Sequence, residues 1–235
     1  MNLSGTNIDK LEKSLNYRFK NPNLITEALT HPSLKQHNRL VHDYERLELL
    51  GDSILGFLVT EMIYHNLRNY PEGEIAKIKS HLVSKETIVK VARKLNLAEY
   101  IIMTQGEEKS GGRVNINNIE NTTEAILGAI YLDSDIEQVR KIVQKFWAEY
   151  IDNIDFNEID PKSALQEESQ DQGYPIPKYE VIKKEGLLHS PVFTVQVAID
   201  KYTEIGSGKS IKEAEKNAAK LLLAKIKNFS SKSKL

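Results

Sequence analysis

From Ile8 to Ile151, apolar residues recur mainly at three- and four-residue intervals, the repeat of a helix buried along one side. After Pro161 that repeat is broken by runs of alternating and β-branched residues, the pattern of strands. The pattern predicts helices over 8–17, 24–30, 44–67, 75–82, 84–95, 119–132 and 136–151, with loops at 33–42 and, glycine-rich and carrying Lys109 and Arg113, at 106–113. His31 precedes Pro32, which restricts the residue before it and stops the second helix, so His31 reads as a capping or packing histidine. Beyond a polar stretch ending in Pro161, a helix over 163–172, strands over 178–184, 192–199 and 202–208, and a last helix from Ser210 follow in the order αβββα. Ser210 and Glu213 have the spacing of a capping box. The expected organisation is an all-α domain over 1–152, a linker over 153–161, a small α+β domain over 162–228, and a disordered tail over 229–235.

The 44–67 helix carries an unusual arrangement. At about 100° per residue, Glu45, Glu48 and Asp52 project from one narrow stripe, while Leu47, Leu50, Ile54 and Leu58 occupy the opposite face. Like charges stacked this way repel one another. Two readings are open on spacing alone: a solvated helix face, or a site that gathers a cation. In the 119–132 helix, Asn121 and Glu124 share a face beside Ala125, Gly128 and Ala129, residues small enough for close helix packing. A carboxylate against such a surface is costly without a partner. Glu72 and Glu74 lie at a helix start, where the dipole favours negative charge, and a swing of Glu72 toward the acid stripe is the rival reading.

Composition narrows the chemistry. The 235 residues include no cysteine, which excludes disulfides and thiolate ligands and leaves oxygen or imidazole donors for any metal, a set that suits hard ions such as magnesium. Hydrophobic content of 40% and charged content of 28% fit a soluble globular protein. No apolar run approaches the roughly 20 residues of a membrane span, and the first residues lack the apolar core of a signal peptide, so the expectation is a cytoplasmic protein without membrane contact. The net charge of −1 conceals an asymmetry: residues 1–159 hold 19 Lys and Arg against 23 Asp and Glu, whereas 209–235 holds 8 against 2. An acidic front suits a metal, a basic tail a polyanion.

In their order along the chain, Thr30-His31-Pro32-Ser33, the block Glu45-Arg46-Leu47-Glu48-Leu49-Leu50-Gly51-Asp52-Ser53, Pro71-Glu72-Gly73-Glu74, Gly111-Gly112-Arg113 and the run from Glu124 to Asp133 resemble bacterial ribonuclease III. Leu165-Gln166-Glu167, Pro177-Lys178-Tyr179, Gly206-Ser207-Gly208 and Lys212-Glu213-Ala214-Glu215 resemble the double-stranded-RNA-binding domain of that family. The resemblance implies an endonuclease domain followed by an RNA-binding domain. It implies a hydrolase that uses Mg2+, with Mn2+ as a substitute, to cut double-stranded RNA as a homodimer. The products would carry 5′-phosphates, 3′-hydroxyls and short 3′ overhangs, in processing of ribosomal RNA precursors and other transcripts. By position, Glu48, Asp52, Asn121 and Glu124 would hold metal, Asp52 and Glu124 being catalytic, with Glu45 and Glu72 as supporting acids. Gln166, Glu167, His189, Lys209, Lys212 and Lys216 would contact RNA, and Leu49 would lie at the dimer interface.

Three departures from the family pattern matter. Asn121 stands where an aspartate is usual, which predicts a higher magnesium requirement. Leu49 replaces a phenylalanine and Ile211 a lysine, the latter lowering the expected salt dependence of RNA binding by about one unit. A non-catalytic RNA-binding protein with the same fold is the alternative. A di-iron bundle would want Glu-x-x-His motifs, whereas Glu61 and His65 are four apart.

Overall fold

Side-chain caps fix where the helices begin. Asn21 accepts from the Asn23 amide, Ser84 from Thr87, Asn115 from Asn117, Asp135 from Gln138 and Asp160 from Ser163, each offsetting one orphan donor of a helix start. His31 does the same for the 3-10 turn Pro32–Leu34, its Nδ1 accepting from the Ser33 amide. The computed structural model describes residues 5–35, 42–187 and 190–232. The chain divides into two units, Met1–Ile154 and Asp155–Leu235.

The described residues of the first unit form α1 (Gly5–Leu15), α2 (Pro22–Leu29), α3 (Glu45–Asn66), α4 (Glu72–Leu82), α5 (Lys85–Lys94), α6 (Gln105–Lys109), α7 (Ile116–Asp133) and α8 (Ile136–Asp152). Helix α7 is central: α2, α3, α5 and α8 all pack against it, and from Asn118 to Ile130 most of its residues are buried. Its packing against α3 is the most extensive between any two helices, and glycine makes it possible. A Cβ on Gly51 would lie 1.7 Å from the Glu124 carbonyl oxygen, and one on Gly128 would lie 2.3 Å from that of Leu47. Two backbones therefore touch where Asp52 and Glu124 leave them. Leu47, Ile54 and Leu58 are buried as their wheel positions predict, while Leu50 is half-buried.

Asp133, at the end of α7, clasps the α1–α2 connection, accepting from the Tyr17 hydroxyl at 2.5 Å and from the amides of Lys20 and Asn21. Helix α1 stops at Leu15, short of the expected Tyr17, because Asn16 takes a left-handed conformation with φ 56°. The 106–113 stretch is not the open loop its glycines suggest. Thr104 caps α6, Gly111 turns the chain at φ 87°, and Arg113 is spent on the carbonyls of Ala98 and Ile101 and on Glu108.

The second unit comprises α9 (Phe156–Ile159), α10 (Pro161–Asp171), β1 (Lys178–Leu187), β2 (Ser190–Ile199), β3 (Tyr202–Gly208) and α11 (Ile211–Lys232). The strands form one antiparallel sheet in the order β1-β2-β3. Val197 and Ile199 face Leu165, Ala218, Leu222 and Leu223 across the core. Again glycine sets the approach, since a Cβ on Gly206 would lie 2.2 Å from the Ala218 amide. Three expectations shift. Residues 156–159, read as linker, form a helical turn tied to α11 by the Glu158–Lys220 pair and by Lys216, whose ammonium reaches the Ile159 carbonyl. Helix α11 includes 229–232, read as tail, because the helix continues its backbone ladder past the capping box. Strand β1 likewise continues through Gly186, whose φ of 89° lets it pair with Pro191. Among the described residues no helix is long and apolar enough to cross a membrane.

Candidate active site

The contact of α3 with α7 turns two separated sequence motifs into one acid cluster. Glu124 is the deepest member, 7% exposed, and among the described residues no donor reaches its carboxylate. Burial chiefly, then the charges of Asp52, Glu120 and Glu48, push its pKa up to about 8, with Lys85 opposing. Glu48 is half-buried and is also pushed up, by burial first and then by Glu45, Glu120 and Asp52. Asp52 is exposed. The structure therefore brings Glu48, Asp52 and Glu124 together, with Glu45 at the edge. Glu45 is held by Lys35 at 3.6 Å, and the same lysine meets buried Asp43 at 3.0 Å.

Asn121 lies on the same side of α7, half-buried, and its side chain hydrogen-bonds the Tyr44 hydroxyl. Burial drives that phenol to about 12, the Asn121 bond acting in the other direction. Tyr44 stacks edge-on against His31, whose Nε2 faces the Asn118 carbonyl oxygen at 3.2 Å. Because Nδ1 accepts from Ser33, Nε2 carries the proton and donates. Asn118 in turn donates to Gly112 and Glu107. His31 is thus a cap and a strut behind the site.

Glu72 stands exposed in the first turn of α4, and no described interaction joins it to the cluster. Glu120 is the acid that helical spacing left unremarked. It lies one turn before Glu124 on α7, and its only advance signal was that i, i+4 relation. Oxygen donors alone line the cluster, and a buried carboxylate without a donor fits a hard cation. Among the described residues, however, no three acid or imidazole groups converge tightly enough to hold an ion by themselves.

Leu49 projects beside these acids and is 73% exposed, so it is not buried within its own chain. Phe57, 56% exposed, and Tyr64, 72% exposed, continue its side of α3. In the second unit, Gln166 and Glu167 are exposed on α10, and Lys209 and Lys212 are exposed at the start of α11. The capping box closes reciprocally there: the Lys209 amide donates to Glu213 and the Glu213 amide to Ser210. Lys216 is half-buried by its bond to Ile159, and Ile211 is 43% exposed. His189 lies outside the described residues.

Residues 21–151 match the family model described as ribonuclease-III-like, and residues 161–226 match the double-stranded RNA binding motif. A curated relative, Ribonuclease 3 of Rickettsia felis, is 56% identical over 93% of this chain and 98% of its own length. That of Rickettsia bellii is 55% identical over 93% of this chain and 97% of its own. Among solved structures, the nuclease domain of ribonuclease III from Campylobacter jejuni superimposes with a TM-score of 0.58 at 37% identity, covering 63% of this chain and 99% of that domain. A second structure of that Campylobacter domain, with a TM-score of 0.57 at 37% identity over 60% of this chain and 96% of its own, concerns flexibility in a region involved in its dimer formation.

Proposed function

We propose, for a chain that belongs to the ribonuclease III family, that the α3–α7 acid cluster hydrolyses double-stranded RNA with the help of Mg2+, or Mn2+ in its place. The observation that carries this reading is Glu124, a buried carboxylate without a donor, facing Glu48 and Asp52 where two helix backbones touch. Glu48, Asp52 and Glu124 would hold the ion, Asp52 and Glu124 as the catalytic pair. When bound, the ion supplies positive charge against the phosphodiester and lowers the pKa of the attacking water. Asn121, anchored to Tyr44, is a neutral neighbour that orients a ligand without adding charge. Glu45 and Glu72 take the supporting role that the family resemblance implies.

In the reaction, water attacks phosphorus and the bond to the 3′ oxygen breaks, leaving a 5′-phosphate and a 3′-hydroxyl. The second unit reads the duplex by shape: A-form RNA offers 2′-hydroxyls in its minor groove and phosphates beside it. Gln166, Glu167 and the loop holding His189 face the former in this reading. Lys209, Lys212 and Lys216 serve the phosphates, with the amides at the start of α11. Lys216 must leave the Ile159 carbonyl to do so. The exposed side of α3 around Leu49 meets a second copy, so that two sites work as a homodimer and cut both strands with a short 3′ overhang. Ribosomal RNA precursors and other structured transcripts in the cytoplasm are its substrates.

Incubation with a long RNA duplex tests this. Cleavage in magnesium, its loss in chelator and its loss in Glu124→Ala, with duplex binding retained, is the expected result. Binding without cleavage by the parent would instead make the chain a non-catalytic RNA binder.

A further inference from the structure

Glu120 has a placement that an ordinary surface acid does not need. Its side chain is 17% exposed, one turn before Glu124 on α7 and across from Glu48 on α3. Lys85, at the first position of α5, grips it at 2.9 Å and donates to Asn117 at 2.6 Å, so the ammonium is fixed between two residues of α7. The charge of Glu120 acts on both Glu48 and Glu124, and Lys85 is the cation that acts on Glu124 in return. Glu120 and Glu124 thus share one lysine. A half-buried Lys–Glu pair contributes modestly to stability, and one that adds a further carboxylate beside a buried, donorless one contributes less. Asn121, between Glu120 and Glu124 in sequence, is engaged with Tyr44 and brings no charge.

Resting on the metal-dependent reading of this site, we propose that Glu120 is a further cation-binding acid and that Lys85 is its resident counter-ion, holding the carboxylate in place until a divalent ion takes over that charge. The donor set is then Glu48, Asp52, Glu120 and Glu124, drawn from both helices. Lys85 competes with the ion for Glu120 and Glu124, so the lysine tunes affinity downward.

The test is Mn2+ affinity of the full chain without RNA, from the paramagnetic resonance of free Mn2+, paired with calorimetric Mg2+ titration. Glu120→Gln, which keeps shape and removes charge, is expected to weaken binding about tenfold or more. Asn121→Asp in the Glu120→Gln background is expected to recover most of that loss, because it returns a carboxylate to the same side of α7. Lys85→Met is expected to bind more tightly than the parent. Unchanged affinity in Glu120→Gln would overturn the proposal, as would a loss in Lys85→Met equal to that in Glu120→Gln, which would make the pair structural. Melting in chelator is expected to be unchanged or higher for Glu120→Gln, since a repelling charge is gone. A lower melting temperature would make Glu120 an anchor and refute the assignment. If the parent binds no Mn2+, the metal-dependent reading falls with this one; if the parent binds and Glu120→Gln binds equally, only this one falls.

Discussion

Glu124 makes the stability of the metal-free protein depend on pH in an unusual direction. Its carboxyl is displaced from 4.5 to about 8, by burial first and by Asp52, Glu120 and Glu48 after it. Between those values the folded chain keeps a proton that the unfolded chain has released, so stability falls as pH rises. Each pH unit of displacement is worth about 1.4 kcal/mol. From about pH 5 to about pH 9 the loss attributable to this group is therefore about 4 kcal/mol, a large share of a typical folding free energy. The assay is urea unfolding in chelator across that range, comparing the parent with Glu124→Gln, which preserves shape but does not titrate. The parent is expected to lose about 4 kcal/mol more than the variant. Magnesium added at the alkaline end is expected to restore the parent alone, because the ion binds the ionised carboxylate and so favours the fold. Parallel pH profiles for the two proteins would refute the reasoning, since they would mean that Glu124 is solvated or that its neighbours already neutralise it.

Other outcomes follow from the same packing. Gly51→Ala drives a Cβ to 1.7 Å from the Glu124 carbonyl oxygen, so α3 and α7 must part; a loss of about 3 kcal/mol in unfolding experiments and of about a hundredfold in cleavage rate is expected, and a fully active variant would contradict the close approach. Leu49→Glu is expected to leave thermal stability of the monomer unchanged, because the side chain is already 73% exposed, while shifting sedimentation from dimer to monomer; an unaltered dimer would place the interface elsewhere. The salt slope of duplex binding is expected to rise by about one in Ile211→Lys and to fall by about one in Lys212→Ala, and superimposed slopes would remove this helix start from the RNA contact.

Most of the architecture was legible in the hydrophobic pattern. The helical repeat through Ile151, the αβββα order, the Ser210–Glu213 capping box and the shared stripe of Glu45, Glu48 and Asp52 all rest on interactions within a few residues, which sequence spacing reports directly. The stretches that read differently were decided at longer range. The 106–113 segment reads as an open glycine-rich loop, yet Arg113 is consumed by carbonyls of Ala98 and Ile101. The 156–159 segment reads as linker because it lies in an acidic, polar stretch ending in Pro161, but the Glu158–Lys220 pair and the reach of Lys216 anchor it to α11.

The acid stripe shows the same division. Its spacing determined that three carboxylates share one face of α3, and left open whether that face meets water or a cation. Only the tertiary contact brings a buried carboxylate to that stripe, by seating Gly51 against Glu124 and Gly128 against Leu47, with Glu120 and Lys85 beside it. Helical periodicity fixes which side of a helix a charge occupies, but the cost of that charge depends on the solvent its neighbours exclude, and those neighbours come from distant parts of the chain.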